Sequence, residues 1–171
     1  RERGDRAGAQ AEFGFERDSR EDLQLWSWAT FAPFASVPSR LEVGRDDLGF
    51  VQGFWLPEDT SRWTTARAQA QLSAPGAGDA RLVLELSAGR PASAPRPTVL
   101  VLVNGRELER LQPSDGWASY MVELPAELLG PERRALVELR SDTFQPRAYD
   151  RASADDRELG VRVRAIELGQ P

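Results

Sequence analysis

The stretch Arg62–Leu72, RWTTARAQAQL, decides the fold because apolar and polar residues alternate over most of its length. Ala66, Ala68, Ala70 and Leu72 fall on one side of an extended chain, and the polar residues between them fall on the other side. One apolar face and one wet face are typical of a strand in an antiparallel sheet that covers a core. The stretch therefore predicts a half-buried strand.

The same alternation recurs along the chain between short turn-forming runs. In Arg81–Ala88, we expect Leu82, Leu84 and Leu86 to face inward, with more polar residues between them. The other strong candidates are Thr98–Val103, which is apolar on both faces and therefore central, Glu107–Leu111, Trp117–Leu124, Ala135–Ser141 and Leu159–Leu168. Weaker candidates are Phe13 and Phe15, Leu23–Phe31, Leu41–Val43 and Gly49–Trp55, and only Ala126–Leu129 indicates a helical turn.

Two local signals refine this pattern. Asn104-Gly105 follows the strand candidate that is apolar on both faces. It predicts a type I′ hairpin, because that turn needs positive φ at both central residues. In the last strand candidate the apolar phase slips between Val163 and Ile166, so we expect a bulge near Arg164–Ala165.

About eight to ten short strands joined by Pro- and Gly-rich turns indicate a particular fold class. They predict an all-β protein, an antiparallel β-sandwich of the jelly-roll type with little helix. An immunoglobulin-like sandwich is the alternative, although the chain lacks the cysteines of true immunoglobulin domains. Residues 1–10 are expected to form a flexible lead-in, and residues 11–171 a single β-sandwich domain.

The composition excludes several classes of chemistry. The 171 residues include no Cys and no His, which removes thiol nucleophiles, Ser-His-Asp triads and Cys/His zinc sites. The net charge of -5 disfavours nucleic acid as a partner. The sequence contains no P-loop, nucleophile elbow or dinucleotide fingerprint, and no apolar run long enough to span a membrane. We therefore expect a binding or scaffolding module and not an enzyme.

The first candidate site is the loop that leads into the clearest strand. Trp55 and Trp63 flank this loop, which also carries Glu58 and Arg62. An indole can cover the apolar face of a sugar ring while a carboxylate and a guanidinium bond its hydroxyls. These residues therefore predict a carbohydrate-binding site. The alternative is that both rings fill the core and Glu58 forms a structural ion pair with Arg62.

The second candidate site is the long polar loop that follows the strand candidate ending at residue 141. Asp142, Asp150, Asp155 and Asp156 offer the hard oxygen ligands that Ca²⁺ prefers, although EF-hand spacing is absent. We expect no cofactor, and Ca²⁺ is the single candidate that the sequence offers. Asp142, Asp156 and Arg157 also join the candidate ligand-binding residues. The alternative is that the aspartates cap turns or pair with Arg157.

A third candidate is the aromatic segment near residue 30. Trp26 and Trp28 share one face if this segment is a strand, and Phe31 and Phe34 lie close by in sequence. They predict either an exposed stacking platform or a contact with a neighbouring domain. The alternative is a buried aromatic layer between two sheets.

Short motifs along the chain carry a resemblance to a known group of domains. In order they are Trp26-x-Trp28, Leu41-Glu42-Val43-Gly44, Asp47-Leu48-Gly49-Phe50-Val51-x-Gly53-Phe54, Pro57-Glu58, Arg62-Trp63-Thr64, Leu139-x-Ser141-Asp142-Thr143-Phe144-x-Pro146 and Asp156-Arg157-x-Leu159-Gly160-Val161. Together they resemble non-catalytic extracytoplasmic domains of bacteria, which occur with multi-spanning membrane glycosyltransferases that use lipid-linked sugars. The resemblance covers nearly the whole chain after the lead-in.

The resemblance implies a galactose-binding-like jelly roll outside the cytoplasmic membrane, at the cell surface or in the periplasm, tethered to a membrane-embedded parent protein or partner. It carries over no catalytic residue. We therefore expect a non-enzymatic module that binds carbohydrate or cell-envelope glycan. The alternative is a structural or protein-interaction domain that docks on a membrane glycosyltransferase and has no ligand of its own. Buried rings at Trp55 and Trp63 would favour the alternative.

Overall fold

The computed structural model describes residues 36–171, and almost all of their regular structure is extended. The strands are β1 (Arg40–Glu42), β2 (Val51–Phe54), β3 (Arg62–Ser73), β4 (Ala80–Ser87), β5 (Val99–Val103), β6 (Arg106–Leu111), β7 (Ala118–Leu124), β8 (Arg134–Ser141) and β9 (Arg162–Gly169). Two 3₁₀ turns (Ala126–Leu128 and Pro131–Arg133) and one α-helical turn, α1 (Pro146–Tyr149), complete the regular structure. Some expectations lie outside the described residues: the lead-in at 1–10, the strands at Phe13, Phe15 and 23–31, and the aromatic segment of Trp26, Trp28, Phe31 and Phe34.

The described strands form two antiparallel layers. The first sheet has the order β7-β4-β9, with β1 and the first residues of β3 along the other side of β9. The second sheet has the order β6-β5-β8-β3-β2. Strand β3 belongs to both, because Arg62 and Trp63 pair with β9 whereas Arg67–Ser73 pair with β8. This architecture confirms the predicted antiparallel β-sandwich of the jelly-roll type.

The inward faces of both sheets meet in one apolar core, as the alternation predicts. Leu82, Leu84 and Leu86 of β4 are fully buried, and so are Val99 and Val101 of β5. Strand β5 lies between β6 and β8, which confirms its central position. Burial of each leucine side chain contributes roughly 2 kcal/mol to folding, so this core supplies the main stabilisation of the sandwich.

A bulge interrupts the pairing of β4 with β9 at the predicted place. Glu85 lies opposite Ala165, and Leu86 lies opposite Val163, so Arg164 is the extra residue. Because one residue is added, the residues on both sides of the bulge keep their apolar side chains inward. The bulge also leaves Arg164 on the outer face of the first sheet.

The prediction for Ala66 is wrong, because β3 is irregular where it changes sheets. Gln52 of β2 lies opposite Gln69, but Phe54 lies opposite Thr64, so the register shifts across this stretch. Ala66 falls in the irregular stretch and is exposed, whereas Ala68 and the apolar residues after it face the core. Gly53 permits the close approach of β2 and β3, since a Cβ atom there would lie 2.1 Å from the carbonyl oxygen of Arg67.

The predicted hairpin between β5 and β6 is confirmed. Asn104 has φ 49° and Gly105 has φ 85°, as a type I′ turn requires. The Asn104 side chain also accepts a hydrogen bond from the Leu136 amide at 2.8 Å, which ties the turn to β8. No helix within residues 36–171 is long and apolar enough to cross a membrane.

Candidate functional site

The two sequence-predicted tryptophans come together, but they are buried. Trp55 and Trp63 are each 7% exposed and form a second apolar cluster with Phe144 and Leu159. Trp63 meets Phe144 edge to face, with ring centroids 5.7 Å apart. The Trp55 indole N–H donates to the carbonyl oxygen of Glu158 at 3.1 Å. Neither ring therefore presents a free face for a sugar, and this burial favours the alternative stated for these residues.

Glu58 and Arg157 close this cluster at its solvent side. Glu58 accepts hydrogen bonds from the Trp63 indole at 3.2 Å and from the Arg157 guanidinium at 2.7 Å. Arg157 lies 5.6 Å from the Trp55 ring and also bonds Asp155 at 2.7 Å. Hydrogen bonding to Asp155 raises the pKa of Arg157 above its ordinary value, and the same bond lowers the pKa of the Asp155 carboxyl. The ion pairs of Arg157 with Glu58 and Asp155 therefore hold the loop before β9 against the loop that carries Trp55.

Arg62 does not join the partly exposed ion pair of Glu58 and Arg157. Its Nε and Nη2 atoms donate to the two carboxylate oxygens of Asp47 at 2.6 and 3.0 Å, and Nη1 donates to the Trp55 carbonyl at 3.1 Å. Arg62 is 4% exposed and Asp47 is fully buried. The expected Glu58–Arg62 pair is replaced by a buried, bidentate Arg62–Asp47 pair. Arg62 therefore stabilises the fold and does not face a ligand.

Asp142 and Asp156, the two predicted aspartates of the long loop, lie in different surroundings. The Asp142 carboxylate accepts a hydrogen bond from the Thr98 amide at 3.2 Å, and its carbonyl oxygen accepts one from the buried guanidinium of Arg90. Burial lowers the pKa of Arg90, which also donates to the carbonyl of Gly160 at 3.2 Å. Asp156 is exposed beside the Asp155–Arg157 pair.

The carboxylates proposed for Ca²⁺ are engaged separately. Asp150 accepts a hydrogen bond from the Ala152 amide at 2.9 Å, Asp155 bonds Arg157, and Asp142 bonds Thr98. Among residues 36–171 no three acidic side chains form a group that would hold a metal ion.

A different indole forms a solvent-accessible patch on the outer face of the first sheet. Trp117 is 37% exposed, and the guanidinium carbons of Arg162 and Arg164 lie 5.2 and 4.9 Å from its ring centroid. Arg164 donates to the Glu85 carboxylate at 2.7 Å. We call Trp117, Arg162, Arg164 and Glu85 the Trp117 patch. It combines the indole, acid and guanidinium that sugar recognition uses, with other residues than the sequence predicted.

Arg162 links the patch to the buried cluster. Its guanidinium lies 5.8 Å from the Trp63 ring, and Nη2 donates to the Ser61 hydroxyl at 2.9 Å. The Nε atom is buried and makes no hydrogen bond with the described residues. Gly89 leaves room for this packing, because a Cβ atom there would lie 2.9 Å from Arg162 Cδ.

The alternation of residues 117–124 also indicates that Trp117 lies on the outer face of the sheet. If Ala118, Val122 and Leu124 face inward, the alternation places Trp117 and Met121 on the outer face. The structure confirms this phase, since Met121 is 66% exposed. The bulge at Arg164 follows from the sequence, but the contacts of Arg164 with Trp117 and Glu85 across the sheet do not.

Comparisons with known proteins give structural neighbours only. No family model matches the chain, and no curated protein matches it. A family 35 carbohydrate binding module from an environmental isolate aligns with TM-score 0.43 and 13% identity, covering 78% of this chain and 84% of that chain. A family 35 carbohydrate binding module from Clostridium thermocellum aligns with TM-score 0.44 and 14% identity, covering 78% and 99%.

Proposed function

We propose that this chain is a non-enzymatic β-sandwich module that binds carbohydrate of the cell envelope outside the cytoplasmic membrane. The observation that supports it is the Trp117 patch. The exposed part of the Trp117 indole offers an apolar surface to the C–H groups of a sugar ring. Arg164 and Glu85, with side chains 40% and 26% exposed, offer a donor and an acceptor to its hydroxyls.

The first experiment is a glycan-array screen of the 171-residue chain, followed by calorimetry on each glycan that binds. We expect Trp117→Ala to weaken binding about ten-fold or more, because a central indole commonly dominates an interface. Leu48→Ala is the matched control, since Leu48 is an apolar side chain that is 68% exposed outside the patch. Circular dichroism verifies that both variants fold. The proposal fails if no glycan binds at millimolar concentration or if Trp117→Ala binds like the wild type.

The proposed location and membrane tether rest on the resemblance of the sequence motifs. An alkaline phosphatase fusion to the full-length parent protein tests them, because this reporter is active only outside the cytoplasm. We expect an active fusion that sediments with membranes. An inactive fusion, or one found only in the soluble fraction, contradicts this part of the proposal.

A structural or protein-interaction domain that docks on a membrane glycosyltransferase is the second candidate. The burial of Trp55 and Trp63 favours it, because the motifs that carry the resemblance then serve the fold and not a ligand. Site-specific photocrosslinking from position 117 in intact membranes distinguishes the two candidates. A crosslink to a membrane-embedded glycosyltransferase supports docking, whereas a crosslink to glycan supports the first proposal.

A further inference from the structure

A groove crosses the outer face of the second sheet, on the opposite side of the sandwich from the Trp117 patch. Its volume is about 430 Å³, and it is lined by Ala66, Thr98, Leu100, Arg110, Arg140, Ser141 and Asp142. This volume falls within the range of about 300–1,000 Å³ that is usual for small-molecule sites. The groove is therefore large enough for a ligand the size of a monosaccharide.

The strand register places basic side chains in one row across this face. Leu100 of β5 lies opposite Arg110 of β6 on one side and opposite Arg140 of β8 on the other. Arg140 in turn lies opposite Arg67 of β3. With neighbouring strands about 4.8 Å apart, the backbones of Arg110 and Arg140 are about 10 Å apart across Leu100.

A nearly buried carboxylate positions two of these guanidinium groups. Glu138, whose side chain is 7% exposed, accepts hydrogen bonds from Arg67 Nη2 at 2.7 Å, from Gln69 at 2.6 Å and from Arg140 Nε. Burial raises the pKa of the Glu138 carboxyl, but these hydrogen bonds outweigh burial and keep the pKa below its usual value. One negative charge thus holds two positive charges in place, and Arg140 keeps 49% of its side chain exposed.

The far end of the groove has different chemistry. Thr98 is half-buried there, and the Asp142 carboxylate accepts the Thr98 amide hydrogen bond. The buried cation Arg90 lies beside Asp142 and offsets part of its charge. Hydroxyl and carboxylate groups at this end suit the hydroxyls of a ligand, and the guanidinium fork of Arg140 suits a carboxylate or phosphate.

We propose that this groove is a second binding site, for a hydroxylated anion of about monosaccharide size that carries a carboxylate or a phosphate group. Arg140 and Arg110 bind the anionic group, and Asp142 and Thr98 bind the hydroxyls. Leu100 separates the two arginines and offers an apolar surface between them. The inference does not depend on the Trp117 patch, which uses different residues on the other sheet.

The test is titration of the ¹⁵N-labelled 171-residue chain, followed by NMR, with glucuronate, glucose 6-phosphate, glucose and inorganic phosphate. We expect at least one of the charged sugars to shift the Thr98 and Leu100 amide signals at millimolar concentration. We expect glucose and inorganic phosphate to bind at least about ten-fold more weakly, since each lacks one half of the recognised chemistry. The charged sugar that binds identifies whether a carboxylate or a phosphate is preferred.

The decisive variants are Arg140→Gln and Arg110→Gln, with Arg81→Gln as the matched control. Arg81 is also a strand arginine bonded to a glutamate, at 3.0 Å from Glu123, but it lies on the first sheet. We expect the two groove variants to weaken binding about ten-fold and the control to leave it unchanged. The proposal is overturned if no probe binds, if glucose or inorganic phosphate binds as tightly as the charged sugars, or if both groove variants bind like the wild type. We expect Trp117→Ala to leave this binding unchanged, because Trp117 does not line the groove, so failure of this proposal is distinguishable from failure of the proposed function.

Discussion

Two clusters of this chain use the same residue types in different surroundings. Trp63 lies with Glu58 and Arg157 beneath the loops and is 7% exposed, whereas Trp117 lies with Arg164 on a sheet face and is 37% exposed. An indole with an acid and a guanidinium is therefore no sufficient sign of a binding site. Whether a ligand can reach the ring depends on whether loops cover it, as they cover Trp63, or leave it on an open sheet face, as with Trp117.

The cause of the difference lies in the strands that carry the two rings. Trp63 is at the start of β3, where the strand passes from one sheet to the other, and the returning loop covers it through the Phe144–Leu159 bridge. Trp117 directly precedes β7, the outermost of the described strands of the first sheet, and its ring packs against the Arg162 and Arg164 side chains on the outer face of that sheet. Substitutions in each cluster test this contrast.

The largest expected effect is a difference in stability between Trp63→Ala and Trp117→Ala. Trp63→Ala removes a buried indole and should lower the free energy of unfolding by about 3–5 kcal/mol. Trp117→Ala removes a partly exposed indole, so we expect a loss of about 1 kcal/mol or less. Urea unfolding followed by circular dichroism measures both values. Similar losses for the two variants would contradict the contrast.

The Arg62–Asp47 pair should be nearly as sensitive as Trp63. Asp47→Ala leaves the Arg62 guanidinium buried without its carboxylate, and we expect a loss of about 3 kcal/mol. The neighbouring Asp46 is exposed, so Asp46→Ala should change stability by no more than about 0.5 kcal/mol. The same urea titration compares them. If Asp47→Ala behaves like Asp46→Ala, the buried pair does not stabilise the loop that carries Trp55.

A glycine in each region gives a test of packing. A Cβ atom at Gly160 would lie 2.2 Å from Thr64 Oγ1 and 2.4 Å from Ser141 Oγ, whereas nothing lies within 4 Å at Gly116. We expect Gly160→Ala to cost about 1–3 kcal/mol through overpacking. Gly116→Ala, next to Trp117, should be close to neutral. Thermal unfolding measures both variants, and a neutral Gly160→Ala would show that the covering loop adjusts freely.

The smallest expected effect concerns the pH dependence of the covered cluster. The hydrogen bond from Arg157 lowers the Asp155 pKa below its ordinary value of 3.8. The pair thus stabilises the folded state fully above that ordinary value, and the stabilisation is lost as pH falls through the lower folded-state pKa. We expect Asp155→Asn to be less stable than the wild type near pH 7 and to lose less stability on acidification. Melting temperatures measured across this range provide the check, and parallel curves for both proteins would refute it.

The fold was predictable from the sequence because alternation is a local property. Leu82 and its neighbours, the Asn104-Gly105 turn and the Arg164 bulge all follow from spacing within a few residues. Burial of the candidate site was not predictable in the same way. Asp47 and Arg62 are 15 residues apart and Glu58 and Arg157 are 99 apart, so their pairing depends on which loops the sheets bring together.

The position of β9 has a consequence for how the protein is made. This strand is the last one of the described chain, yet it lies inside the first sheet, between β4 on one side and β1 and β3 on the other. A growing polypeptide therefore cannot close the first sheet until residues 162–169 have left the ribosome, and contacts so distant in sequence slow folding. Until then the strands that pair with β9 expose unpaired edges, so we expect a translation product that stops before residue 162 to aggregate.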